Sequence, residues 1–320
     1  MDPIFVKRVL RDSVKKCEEP PKDIVMWLLR EHKNLDDKTR TELICLCARA
    51  VLLYDIDSFW RLAKLLYPSY WYVWLVSEAT RVIALSGKNW RDFYDSGVQG
   101  IKALPIGMRS LGYTTMAMSI SDISRAHSYS LAKNSVKTLP FSYASVFGGS
   151  AVKSAEVFVK VGFEIEKNIT VLSNIVNATT LLTPSSKVYV LSTIASKVAD
   201  VSKELMMKIL LRCFNMFKYL TPEATMEAEA IMATKLVEIY GDNIQDLLEL
   251  AKRVGDLGKN AIKHAIIRIL QDVERKAFYE LDLKCLEDGA IVRDIKETIE
   301  RKKMLRKKLM REISRTLLIR

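Results

Sequence analysis

The side chains with the clearest chemical potential in this chain are cations and aromatic rings. Between Ile291 and Arg320, Arg301, Lys302, Lys303, Arg306, Lys307, Lys308, Arg311 and Arg315 are interleaved with Ile295, Ile299, Leu305, Leu309, Ile313 and Leu317. The apolar positions recur mostly every fourth residue, which predicts a long amphipathic helix with a basic side. Such a side can contact phosphates and release their counterions. The same helix could dock in a partner's groove or lie on an acidic surface, or its charged side could simply face water. The second group is aromatic: Tyr67, Tyr70, Trp71, Tyr72 and Trp74, preceded by Trp60 and followed by Trp90 and Tyr94, with Arg61, Lys64, Arg81 and Arg91 among them. Trp71, Tyr72 and Trp74 are the candidates for stacking on unpaired bases. The same spacing also suits core packing, because neighbouring residues on a helix point in different directions.

Nucleophilic and metal chemistry find less material. Tyr129 and Lys133 lie one helical turn apart, the arrangement in which a lysine lowers a tyrosine pKa, but no glycine-rich strand-turn-helix accompanies them. Ser130 with Lys133 and Ser150 with Lys153 have the S-x-x-K spacing without its companion motifs. No phosphate-binding G-x-x-x-x-G-K-[ST] loop occurs, and no carboxylate pair stands out from the charged helix faces. His32, His127 and His264 are far apart in sequence. Cys45 and Cys47 would project about 200° apart around one helix, so they cannot share a metal from it. No cofactor or metal is expected. An enzyme would have to assemble its site from distant helices in a deep polar pocket.

Charge then bounds the partners. Fifty Lys and Arg against 38 Asp and Glu leave a net charge of +12 over 320 residues. Eleven basic and four acidic residues fall between Arg293 and Arg320, so +7 of the excess is concentrated there. The expected partner is therefore nucleic acid or an acidic protein surface, with self-association as a further possibility. Five dispersed cysteines do not form a paired secretory framework, and no apolar leader follows Met1, so the expected compartment is the cytoplasm. No run is apolar enough for a membrane span; the longest uncharged one, Asn168 to Ser186, is interrupted by Thr, Ser, Asn and Pro184. Glutamine occurs only at Gln99, Gln245 and Gln271, beside abundant Lys, Arg and Glu, a bias that fits a thermophile.

The elements that must carry these residues are helical. Ile4, Val9, Leu10, Val14 and Cys17 predict a first helix, Pro20 and Pro21 end that pattern, and Ile24, Trp27 and Leu28 resume it. Asp36 and Asp37 offer a cap to a third helix bearing Leu43, Leu46, Cys47, Ala50, Val51 and Tyr54, and a fourth runs from about Ser58 to Leu66. No stretch keeps the period of two that a half-buried strand needs. Pro21, Pro68, Pro105, Pro140, Pro184 and Pro222 are spaced by 47, 37, 35, 44 and 38 residues, the length of one helical hairpin. Leu65 to Ser69 and Leu181 to Ser185 share a Leu-Leu-x-Pro-Ser pattern, with Tyr219 to Glu223 a looser copy, and Thr183 and Thr221 should cap helices opened by the prolines that follow.

In this hairpin spacing, from residue 1 to about 275, the chain resembles HEAT-like or armadillo-like helical repeats. The resemblance implies an all-α fold of stacked antiparallel helical hairpins, solenoid-like; a compact multi-helix fold would show the same punctuation. Three segments are expected: N-terminal hairpins over 1–104, a Gly/Ser-rich bundle over 105–222, and long helices over 223–320 that end in the basic one. In the middle segment Gly107, Gly112, Gly148, Gly149 and Gly162 and many serines should let helices approach closely. Breaks in the last segment are expected near Gly241, Gly255 and Gly289. Function at this level reads as a non-catalytic scaffold for an acidic macromolecule, nucleic acid or nucleoprotein first, a protein-interaction or structural subunit second.

Overall fold

The computed structural model describes residues 1–161, 165–179, 182–241, 243–254, 258–269 and 271, and all regular structure among them is helical. The chain divides into two compact units, Met1–Ala178 and Thr179–Arg320. In the first, α1 spans Pro3–Lys16, α2 Lys22–Glu31, α3 Asp37–Val51, α4 Ile56–Lys64 and α5 Tyr70–Leu85. There follow α6 at Arg91–Ala103, α7 at Ile106–Ile120, α8 at Arg125–Thr138, α9 at Ala144–Val161 and α10 at Ile165–Ala178.

Local chemistry sets the helix ends. Asp2 caps α1 by accepting from the Ile4 N–H at 3.0 Å, and Pro3 occupies the first turn, where its missing N–H costs nothing. Cys17 closes the same helix in the left-handed conformation (φ 54°). Asp36 accepts from the N–H groups of Lys38 and Thr39, as expected of a cap for α3. Asp55 does the same for α4 through Ser58, and so begins it slightly earlier than the apolar pattern suggested. The prolines differ in role. Pro184 and Pro222 open helices, but Pro68 stands before Ser69, whose hydroxyl caps α5 at the Tyr72 N–H. The matching Leu-Leu-x-Pro-Ser strings therefore differ in local structure.

The odd-numbered helices of the first unit form a row in which α1, α3, α5, α7 and α9 each pack on the next. Helix α4 leans on α3 and α5, α6 on α5 and α7, and α8 on α7 and α9. This alternation is compatible with a helical-repeat fold, in which each hairpin buries its apolar face on its neighbours. Leu43, Ile44, Cys47, Phe59, Leu62, Leu75, Val76, Ile101 and Met116 fill the interior between them. Ile4, an apolar position of the first periodic pattern, is instead 78% exposed, and Val6 and Leu10 face the core. The compositional change at 104/105 lies within this unit, since α7 packs against both α5 and α6.

Small residues bring helices close at some positions, though Gly149 faces open space and Gly162 lies outside the described residues. A Cβ at Gly100 would sit 2.6 Å from the Tyr72 ring, and one at Gly107 would sit 2.5 Å from Tyr143. Across α7, α8 and α9 the buried serines bond one another: Ser110 reaches Ser150 at 3.2 Å, Ser154 reaches Ser135 at 3.0 Å, and Ser135 donates to the Ser110 carbonyl at 3.0 Å. Each such bond contributes about 1 kcal/mol net, and more is lost when one partner is left buried alone.

The second unit contains α11 at Pro184–Val198, α12 at Lys203–Met216, α13 at Pro222–Tyr240, α14 at Ile244–Ala251 and a further helical stretch at 258–269. Helix α11 packs on α12 and α13, and α13 on α14. Gly241, with φ 53°, ends α13 where a break was expected; Gly255 and Gly289 lie outside the described residues. No described helix is long and apolar enough to cross a membrane.

Candidate functional site

The site is built where α1, α3 and α5 meet in the first unit. Helix α1 presses Val6 and Leu10 into the core, which leaves Lys7 and Arg11, four residues apart, along the edge of its seam with α3. On α3 the residues Lys38, Thr41, Glu42, Cys45, Leu46 and Arg49 follow at helical spacing, so one face of that helix is offered lengthwise. Helix α5 contributes Trp71 and Trp74, three residues apart. Together with Asp37 these side chains line an open groove of about 830 Å³.

Charge in the groove is unevenly neutralised. Glu42 receives the Lys7 ammonium at 2.6 Å and the Arg11 guanidinium at 3.1 Å, tying α1 to α3. Lys7, the nearer of the two, holds the Glu42 carboxyl below its ordinary pKa of 4.5 against the opposing effect of desolvation. Asp37 is engaged by Arg40 at 2.8 Å. Among the described residues no carboxylate pairs with Lys38 or Arg49, so four cations face two carboxylates that are already occupied. The Arg49 guanidinium lies 5.9 Å from the centre of the Trp74 ring, a cation–π distance. Cys45 is no nucleophile here, because burial pushes its thiol up to about 12 despite Arg49 nearby.

Of the aromatic candidates the structure brings two together and withdraws the third. Trp71 is 48% exposed, Trp74 is half-buried, and their rings meet at 6.1 Å with planes 77° apart. Tyr72 is only 7% exposed, set edge-on to Tyr67 and pressed against Gly100, so its ring offers no face to a ligand. That corrects its place among the stacking residues. The cations expected to accompany the rings, Arg61, Lys64, Arg81 and Arg91, do not line the groove. The ones that do come from α1 and α3, 20 to 70 positions earlier, and only their own i, i+4 and i, i+11 spacing could have marked them.

Arg301, Lys302, Lys303, Arg306, Lys307, Lys308, Arg311 and Arg315 lie outside the described residues. The remaining chemical candidates separate. Ser150 is buried in the serine network and Lys153 points to solvent, while Tyr129 packs edge-on to Phe158 at 5.4 Å. His32 bonds the Leu29 carbonyl, His127 bonds Ser124 beside the rings of Trp90 and Tyr94, and His264 is exposed. Among the described residues no three metal-ligating side chains converge. Cys47 is likewise buried, its thiol raised to about 12. Neither a known protein family nor a curated protein matches the chain in sequence.

Proposed function

We propose that this protein is a non-catalytic helical-repeat scaffold that binds nucleic acid through basic helix faces. The observation that supports this most directly is the groove of α1, α3 and α5, where Lys38 and Arg49 remain without carboxylate partners beside two indoles. Cations in a concave, partly desolvated surface attract polyanions more strongly than the same charges on an open face. The concentrated positive charge between Arg293 and Arg320 supports the same reading from the sequence. A cytoplasmic setting belongs to the proposal, supported by the free thiols of Cys17, Cys45, Cys47 and Cys213.

Contacts of this kind are made to phosphates and carry no base sequence. Binding should therefore be nearly independent of sequence and weaken steeply with salt. In a filter-binding titration at about 50 and 200 mM salt, a protein making six or more phosphate contacts should lose about a thousandfold in affinity or more. No retention of either single-stranded or double-stranded nucleic acid at the lower salt would overturn the reading, and retention of an acidic protein alone would replace it.

A further inference from the structure

We infer that the groove between α1, α3 and α5 is a stacking site for unpaired bases, so that the protein binds single-stranded nucleic acid in preference to duplex. The inference rests on the nucleic-acid reading above and assigns that reading its strand form.

Three features of the groove favour this ligand. The first is its flat apolar surface. Trp71 leaves nearly half of its surface in water although the buried Tyr72 and Val73 follow it directly in the helix, and with Trp74 it makes a corner of two nearly perpendicular rings. A planar group lying on one ring meets the edge of the other, an arrangement aromatic quadrupoles favour. Tyr70 supports the corner from behind: its ring lies 5.9 Å from that of Trp71, and its hydroxyl shares a 3.0 Å hydrogen bond with Thr115 on α7.

The second feature is the sign and placement of charge. Arg49 is held over Trp74 and Lys38 stands free of carboxylates along the same helix, so cations flank the surface on which a planar group would lie. A cationic peptide would be repelled. A neutral apolar ligand would cover those cations without compensating them. A ligand with flat faces joined by anionic links satisfies both features at once, and an unpaired nucleotide strand has that chemistry.

The third feature is size. At about 830 Å³ the open groove has the volume of a small-ligand site, enough for bases lifted from a single strand. A duplex keeps its base faces stacked on each other, so it could offer this surface phosphates only. Lys7 and Arg11 are already ordered by Glu42, so little side-chain freedom remains to be lost when a phosphate replaces that carboxylate.

The test uses the full-length protein with a fluorescent thymidine oligonucleotide of about 20 residues and a duplex of equal length, read by anisotropy at low salt. Wild type is expected to favour the single strand. Trp71→Ala should weaken single-strand binding by roughly 5- to 150-fold, the range that stacking on one ring supplies, and leave the duplex within about twofold. Trp71→Phe, which keeps a ring face, should recover most of the loss. Should Trp71→Ala fail to fold by circular dichroism, photocrosslinking of wild type to a bromodeoxyuridine strand decides the matter: adducts should map to Trp71 or Trp74. Adducts at neither Trp71 nor Trp74, or equal effects of Trp71→Ala on both strand forms, would overturn the stacking site and leave general nucleic-acid binding standing. If wild type binds neither form, both readings fall.

Discussion

Glu42 sets how much of the groove's positive charge a ligand meets. Its two carboxylate oxygens are taken by Lys7 and Arg11, which lines these cations up while cancelling part of their field. Replacing Glu42 with Gln adds one unit of positive charge to the groove and frees both cations. Affinity for a single-stranded polyanion should then rise several-fold at low ionic strength and converge on wild type as salt shortens the range of the field. The cost in stability should stay within about 1 kcal/mol, as for other partly exposed ion pairs. The pH dependence has a defined sign. Because the folded carboxyl titrates below 4.5, its stabilisation is complete above that value and is lost as pH falls through the lowered one. Acid titration of the two proteins should show wild type losing this part of its stability at low pH and Glu42→Gln showing no such loss. A Gln variant with unchanged affinity at low salt would mean that phosphates do not enter between α1 and α3.

At the scale of the helix, the spacing of α5, α6 and α7 depends on missing side chains. Gly100 on α6 meets the Tyr72 ring, so Gly100→Ala should destabilise the fold by about 1–3 kcal/mol, offset by at most about 1 kcal/mol from better helix propensity. Gly149 on α9 has nothing within 4 Å, and Gly149→Ala should stabilise by about 0.5–1 kcal/mol. Urea denaturation of both variants checks the pair, and equal shifts in the same direction would contradict this packing. These two glycines also show what a sequence discloses about an element. Both sit in the Gly/Ser-rich stretch or beside it, and both are compatible with close helix approach; only the partner's position separates a contact glycine from an exposed one. Helix ends were legible because a cap is local: Asp36 and Thr221 accept from backbone N–H groups two or three residues away, as their types and places implied, whereas Thr183, at the N-cap of α11, makes no such bond and its hydroxyl donates to Ser186 instead. The two faces of α5 were not legible, because Tyr72 and Trp71 are adjacent aromatics whose fates depend on Gly100 and on α3. The groove's cations were hidden for the same reason: nothing within α1 or α3 says that two indoles of α5 lie across from them.

For the molecule as a whole, the question is how binding divides between an aromatic groove in the first unit and the basic segment at the carboxyl end. Counterion release and stacking respond differently to salt, which lets them be separated in the intact chain. Removing one phosphate-binding cation lowers the slope of log affinity against log salt by about 0.7 for a single strand, whereas an uncharged ring contributes affinity with little effect on the slope. Replacing Lys302, Lys303, Lys307 and Lys308 together with Gln removes four charges from the segment that holds +7 of the total +12. If that segment binds phosphate, the slope should flatten by up to about 3 for a single strand and somewhat more for a duplex, with the single strand still preferred. Trp71→Ala should do the reverse, reducing the preference and leaving the slope as it was. Independent action of the two regions would make the combined variant show the sum of the two effects. An unchanged slope in the four-lysine variant would remove the carboxyl-terminal segment from the binding surface and leave the groove as its principal part. A lost strand preference in that same variant would mean that the two regions grip one stretch of nucleic acid together.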